Sequence, residues 1–183
     1  MKVYARKYPL SIDFQVPIMA FIIYNINNLN TMRLEEKICK QFTKKAKTLA
    51  IAESCTCGLV SDTLTNVPGS SAFFLVGLIA YDNAAKTKLL GVPPALLKKH
   101  GAVSSETAAT MAQGVRQILK TDYGLSITGI AGPSGGTTTK PVGLVFIALS
   151  HAKETRVMKF LFKGNRVRIK KQAGQSALKM LAK

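Results

Sequence analysis

From residue 32 onward the chain switches between two spacings of apolar positions, and each switch marks an element. Leu34, Ile38 and Phe42 recur every four residues among Glu and Lys, the stripe of an amphipathic helix. Thr48 to Glu53 is short and mostly apolar, which predicts a buried strand running straight into Ser54 and a new helical pattern from about Thr56 to Leu64. Asn66 to Ser70 is a turn, because Pro68 stops the helix and Gly69 accepts a positive φ. Ala72 to Tyr81, AFFLVGLIAY, is apolar on both faces and therefore predicts a central strand.

DNAAKTKLLG then predicts a short helix closed by Gly91, and Pro93-Pro94 opens another that ends at His100-Gly101. Ser104 caps a longer helix, Ser105 to Lys120, whose inner side carries Ala108, Met111, Ala112, Val115 and Leu119, small enough for close packing on a sheet. Leu125 to Ile130, Gly143 to Ser150 and Thr155 to Phe162 predict three more strands. A terminal helix starts at Arg166, apolar at Ile169, Ala173, Ala177 and Leu181. Strands alternating with helices predict an α/β fold, a three-layer α/β/α sandwich; the two adjacent final strands make its sheet mixed, mostly parallel.

Residues 1–31 break this pattern. A few basic residues (Lys2, Arg6, Lys7) precede an apolar run from Phe14 to Tyr24 that Pro17 interrupts, with no small-residue cleavage site after it. Three readings stand: a poorly ordered extension, an added edge strand, or translated sequence upstream of a true start at Met32. The division expected is therefore an extension over 1–31 and one domain over 32–183.

Composition narrows the class. A chain of 183 residues with 47% hydrophobic residues fills one core, and no window reaches the ~20 apolar residues of a membrane-spanning helix. Cys39, Cys55 and Cys57 are an odd, clustered set without zinc-site spacing, which points to reduced thiols in a cytoplasmic protein. Two histidines, His100 and His151, leave little for a metal cluster or a Ser-His-Asp triad. The net charge of +17 predicts affinity for polyanions. It concentrates after His151, where ten basic residues face one acid, Glu154, yet no base-reading motif accompanies it, so a solvated face is the first reading.

Ligands of α/β sheets collect where strands empty into helices, and three such loops are polar or glycine-rich: Glu53 to Gly58, Tyr81 to Lys86, and Thr128 to Lys140. At the first, Ser54 is either a helix N-cap or a nucleophile, with the unpaired N–H groups of the next helix's first turn facing the same space. At the third, Gly129, Gly132, Gly135 and Gly136 let backbone donors approach an anion, although neither a P-loop nor a dinucleotide fingerprint is present.

The motifs ESCTCG, VPGSSAFF, YDNAAK, LLGVP, GAVSSETAATMAQG, TGIAGPSGG, KPVGLVFIAL and KGNR, in this order and spacing, closely resemble the CinA C-terminal domain family, whose enzymes are nicotinamide-nucleotide amidases. The resemblance runs from about Met32 to the C-terminus. It implies bacterial pyridine-nucleotide salvage: hydrolysis of the carboxamide of nicotinamide mononucleotide to nicotinate mononucleotide and ammonia, with no metal and no cofactor. By motif, Ser54 is the nucleophile, with Tyr81 and Lys86 beside it. Glu53, Thr56, Thr128, Gly129, Gly132 and Arg166 are the candidates for holding substrate, Arg166 and the glycine loop for its phosphate.

A Ser-Lys pair can replace Ser-His if the lysine is neutral part of the time; burial and neighbouring Lys88 are the expected causes. Two departures stand out: Cys57 where the family usually has glycine, and Asn165 where it usually has an acid. The expected partners are the small-molecule substrate and further copies of the chain, with no membrane. Two other readings remain: a catalytically silent binding or regulatory module, and a nucleic-acid-associated protein using the basic pole.

Overall fold

In the computed structural model Arg33–Lys183 forms one compact unit. The structure describes residues 32–182, so the readings of 1–31 lie outside the described residues. The helices are α1 (Leu34–Lys44), α2 (Leu59–Thr65), α3 (Asn83–Leu90), α4 (Pro94–His100), α5 (Ser105–Ile118) and α6 (Arg166–Leu181); the strands are β1 (Leu49–Glu53), β2 (Phe74–Ile79), β3 (Tyr123–Gly129), β4 (Leu144–Ser150) and β5 (Thr155–Leu161). The five strands form one sheet in the order β2-β1-β3-β4-β5. β2, β1 and β3 are parallel, and β3-β4 and β4-β5 are antiparallel, giving the expected mixed sheet.

Helices cover both faces. On one, the stripes of α1 (Ile38, Phe42), α2 (Val60, Leu64) and α6 (Ile169, Ala173, Ala177, Leu181) bury against Ile51, Leu125, Ile127, Val145 and Ile147. On the other, Met111 and Val115 of α5 cover Ala50 and Ala52, and Ala108 and Ala112 lie on Ala148. The small residues of α5 do bring it close: a Cβ on Gly124 of β3 would collide with the Ala112 carbonyl. Burying an aliphatic side chain stabilises by about 1.5–3 kcal/mol, so these stripes hold the layers together.

One expectation fails. β2 is an edge strand, not a central one, and its residues alternate between half-buried and exposed. Its continuous apolarity comes from Leu75 and Ile79, 44% and 51% exposed, on a face that neighbouring helices cover only in part. An apolar run is compatible with either position; only the strand order decides.

The topology brings several chain segments to one end. β1, β2 and β3 are parallel, so Ser54, Tyr81 and Ile130 follow at their common carboxyl end. β5 runs in the same sense as β3 through two antiparallel steps, which delivers the start of α6 there as well.

Candidate functional site

Ser54 is held by the sheet. Its N–H donates to the Ile127 carbonyl at 2.9 Å, extending the β1-β3 ladder one residue past Glu53. Its hydroxyl makes no hydrogen bond among the described residues, and the side chain, 8% exposed, lines a cavity. Ser54 is therefore not a helix cap. The residue before α2 is Gly58, and α2 begins at Leu59 because Cys57 (φ +54°) and Gly58 (φ +89°) are both left-handed, a conformation no right-handed helix contains. For Cys57 that conformation costs about 1–2 kcal/mol, which is a physical reason for glycine at this position.

The later start of α2 overturns a second expectation. Its first-turn N–H groups do not face the ligand space, because Glu53 takes them: the fully buried carboxylate accepts from Val60 N at 3.2 Å, Ser61 N at 2.9 Å and Ser61 Oγ at 2.7 Å. Glu53 thus caps α2 from the end of β1 and closes the loop that carries Ser54. It is not on the cavity wall, and its expected contact with substrate is replaced by a positioning role. Thr56, also expected to hold substrate, is fully buried away from the cavity, with Oγ1 unpartnered among the described residues. Both corrections have one cause: the turn of the loop points these side chains back into the protein.

Lys86 sits on the inner side of α3, 1% exposed. Asp82 starts that helix, its carboxylate accepting from Ala84 N at 2.7 Å. Lys86 Nζ donates to the carbonyls of Ala80 and Tyr81, both at 2.9 Å, and makes no ion pair among the described residues. Desolvation holds its pKa below the ordinary lysine range; nearby Asp82 and Cys55 oppose this in part. Burial, rather than Lys88, is the cause. Two carbonyl acceptors occupy the two N–H bonds of a neutral amine, so its lone pair is free for a proton from the cavity. Burial acts on Cys55 too, pushing its thiol up to about 12, so this cysteine stays protonated and packs.

The third loop supplies backbone. Thr128 lines the cavity, but its hydroxyl donates to Ala102 at 2.8 Å and so anchors the α4-α5 connection. Gly129, Ala131 and Gly132 line the same wall, and the N–H groups of Cys55, Ala131 and Gly132 have no carbonyl partner among the described residues. Arg166, first residue of α6, bridges the rim: Nη1 donates to the Gly132 carbonyl at 2.7 Å and Nη2 to the Tyr81 hydroxyl at 2.9 Å. Tyr81, 56% exposed, stands at the mouth rather than deep beside Ser54. Asn165 caps α6, its Oδ1 accepting from Arg168 N at 2.9 Å, so the departure from an acid keeps the cap.

Ser54, Tyr81, Lys86, Thr128, Gly129, Gly132 and Arg166 thus line one cavity of about 310 Å³, within the range of small-molecule sites. Asn83, Ala102 and Val103 also line it, and sequence reasoning misses them. Asn83 lies inside the YDNAAK motif and Ala102 and Val103 inside GAVSSETAATMAQG, signals that could have found them, although the two apolar residues carry no chemistry of their own. No cluster of three or more metal-binding side chains occurs among the described residues. A serine hydroxyl with no hydrogen bond, a buried amine and backbone N–H groups with no carbonyl partner among the described residues, all from residues lining one cavity, are the parts that acyl transfer requires.

A family model described as CinA C-terminal domain matches residues 31–183. A "CinA-like protein" of Syntrophus aciditrophicus is 52% identical over 149 residues, 81% of this chain and 36% of that protein. A "putative competence-damage inducible protein" of Moorella thermoacetica is 54% identical over 134 residues, 73% and 32% respectively. The chain therefore spans about a third of the length of the curated relatives it matches. Among solved structures, the competence/damage inducible protein CihA from Agrobacterium tumefaciens is similar at a TM-score of 0.79 and 37% identity, covering 81% of this chain and 91% of that one. On the family model, on these relatives and on the shared mixed five-stranded sheet, the chain belongs to the CinA C-terminal domain family.

Proposed function

We propose that this chain hydrolyses the carboxamide of nicotinamide mononucleotide, releasing ammonia and nicotinate mononucleotide, with Ser54 as nucleophile and Lys86 as general base. The observation that carries the reaction type is the unbonded Ser54 hydroxyl and the buried, ion-pair-free Lys86 on one cavity wall. The choice of substrate rests on the resemblance of ESCT, YDNAAK and TGIAGP to the amidase motifs. The names of the matching relatives speak of competence and damage, not of a reaction.

The steps follow from the residues. Ser54 Oγ attacks the amide carbon as its proton passes to the lone pair of Lys86 Nζ, and the carbonyl oxygen becomes an oxyanion. The unpaired N–H groups of Cys55, Ala131 and Gly132 are its stabilisers. Collapse of this intermediate breaks the C–N bond; the ammonium of Lys86 returns its proton to the leaving nitrogen, which departs as ammonia. Water then attacks the acyl-Ser54 ester, again giving its proton to Lys86; collapse of the second intermediate breaks the bond between the acyl carbon and Ser54 Oγ, the Lys86 ammonium returns its proton to Oγ, and the product acid leaves as the carboxylate after losing its proton to solvent. Arg166 is the phosphate ligand, because both of its present acceptors are neutral and a charge-assisted bond to phosphate displaces them. Tyr81, released by that exchange, orients the nucleotide at the mouth.

An ammonia-release assay on nicotinamide mononucleotide, wild type beside Ser54→Ala, tests this. Removing a nucleophile that works as a unit with its base costs on the order of 10⁴-fold or more. Ammonia from the wild type and none from the variant, with unchanged thermal unfolding, is the expected result. Equal release overturns the nucleophile assignment; none from either leaves the silent binding module as the better reading.

A further inference from the structure

The two edges of the sheet differ in a way the reaction does not use. β5 is a defended edge: it carries Arg156 and Lys159 and is flanked by Lys153 and Lys163, charges that discourage pairing with another strand. β2 is undefended. From Thr63 to Tyr81 there is no charged residue, in a chain of net charge +17. Leu75 and Ile79 stand exposed on one of its faces, and between them Gly77 has no room for a side chain, since a Cβ would press on Ser61 of α2.

Among the described residues the backbone of β2 is unpaired on its outer side. Ala80 N–H donates to the Glu53 carbonyl, toward β1, so by the period of two the N–H groups of Gly77 and Ile79 point away from the sheet. The register shift at Leu49/Ala50 confines the irregularity to the start of the strand, and Val76 to Ile79 pair regularly with β1.

We propose that this edge is a homotypic interface, in which β2 pairs antiparallel with β2 of a second copy of the chain about a twofold axis, making a ten-stranded sheet. Charge selects the occupant. Two copies of a strongly cationic chain repel, and they meet at low cost only across surface that carries no charge on either side. A twofold axis perpendicular to the sheet makes the strip self-complementary and closes the assembly at two, whereas head-to-tail pairing with β5 would bring its basic residues against the strip and leave an open edge. Tyr81 lies two residues beyond Ile79, so the partner strand starts beside the mouth of the cavity. This inference is independent of the amidase reading.

Sedimentation of the full chain at ~150 mM salt, where the Debye length is about 8 Å, reads the mass. The expected wild-type value is twice the 19.7 kDa of one chain. Leu75→Lys with Ile79→Lys sets like charges across the axis; it is expected to sediment as a monomer with unchanged circular dichroism, while Lys159→Glu on the opposite edge stays dimeric. Hydrogen exchange of the wild type supplies a test that needs no variant: the Gly77 and Ile79 amides are expected to gain protection as concentration carries the protein from monomer to dimer. A wild-type mass other than the dimer's, a double variant that remains dimeric, or freely exchanging Gly77 and Ile79 amides in the dimer overturns the proposal.

Discussion

At the amino ends of β1 and β3, Lys47 Nζ donates to Asp122 Oδ1 at 2.7 Å, while Asp122 Oδ2 accepts from both the N–H and the hydroxyl of Thr48 at 3.0 Å. The Asp122 N–H returns a bond to the Thr48 hydroxyl at 2.9 Å. At the carboxyl ends of the same sheet, Lys86 has two carbonyls and, among the described residues, no carboxylate partner. The first lysine is half-exposed and paired, and its pKa is raised by the Asp122 hydrogen bond; the second is buried, and its pKa is lowered by desolvation. The contrast separates two uses of one residue type. A lysine that closes a sheet is satisfied in its charged form, and the one proposed as general base is placed where losing the proton is easy.

The sharpest way to break this comparison is Lys86→Met. Loss of a positioned general base costs about 10²–10⁴-fold in rate. The relief of burying a charge offsets the two lost hydrogen bonds, so the Tm is expected to move by no more than about 3 °C, the shift that ~1 kcal/mol produces in a domain of this size. A collapse of the Tm with the activity would make Lys86 a structural clamp, and ammonia release beside calorimetry distinguishes the two.

The pH dependence comes next. Activity is expected to rise with pH through a limb below the ordinary lysine range, since only neutral Lys86 accepts the Ser54 proton; a kcat/KM profile reads it. Stability carries the same sign. The folded pKa lies below the unfolded one, so the folded state binds fewer protons between them and stability rises with pH across that window. Lys86→Met should flatten both.

Asp122→Ala acts at the other end. Its carboxylate accepts three bonds, and their loss is expected to cost about 1–3 kcal/mol in urea unfolding without changing the rate of ammonia release. The Lys47 hydrogen bond and the Thr48 donors hold the Asp122 pKa down, so this stability is present above the unfolded pKa and is lost as pH falls through the lower folded one. Lys47→Ala is the smallest effect, because the pair is solvent-exposed, and it should shrink further in high salt.

Much of this arrangement is legible in the order of residues alone. The stripes of α1 and α6 can be read residue by residue, because a period near four has only one buried face to assign. The site is legible as a set of loops, since strands that empty at one end of a parallel sheet collect their motifs there. Its inner arrangement is not. From its own stretch Ser54 stays open between helix cap and nucleophile; the cap is excluded only where Cys57 and Gly58 turn left-handed and push α2 three residues later, and Glu53 reads as a site carboxylate until it is found capping that helix. Local sequence does not state a backbone hand at a non-glycine residue.

The amino-acid sequence by itself determined the element order, the apolar faces, the family motifs and the absence of charge from Thr63 to Tyr81. These are properties of spacing and composition, readable along one dimension. Only the tertiary structure decided that β2 lies at an edge, that Glu53 and Thr56 turn inward, and that Lys86 is buried beside two carbonyls with no counter-ion among the described residues. Strand order, burial and the partners of a charge depend on segments far apart in the chain, and the pKa of Lys86 depends on all three.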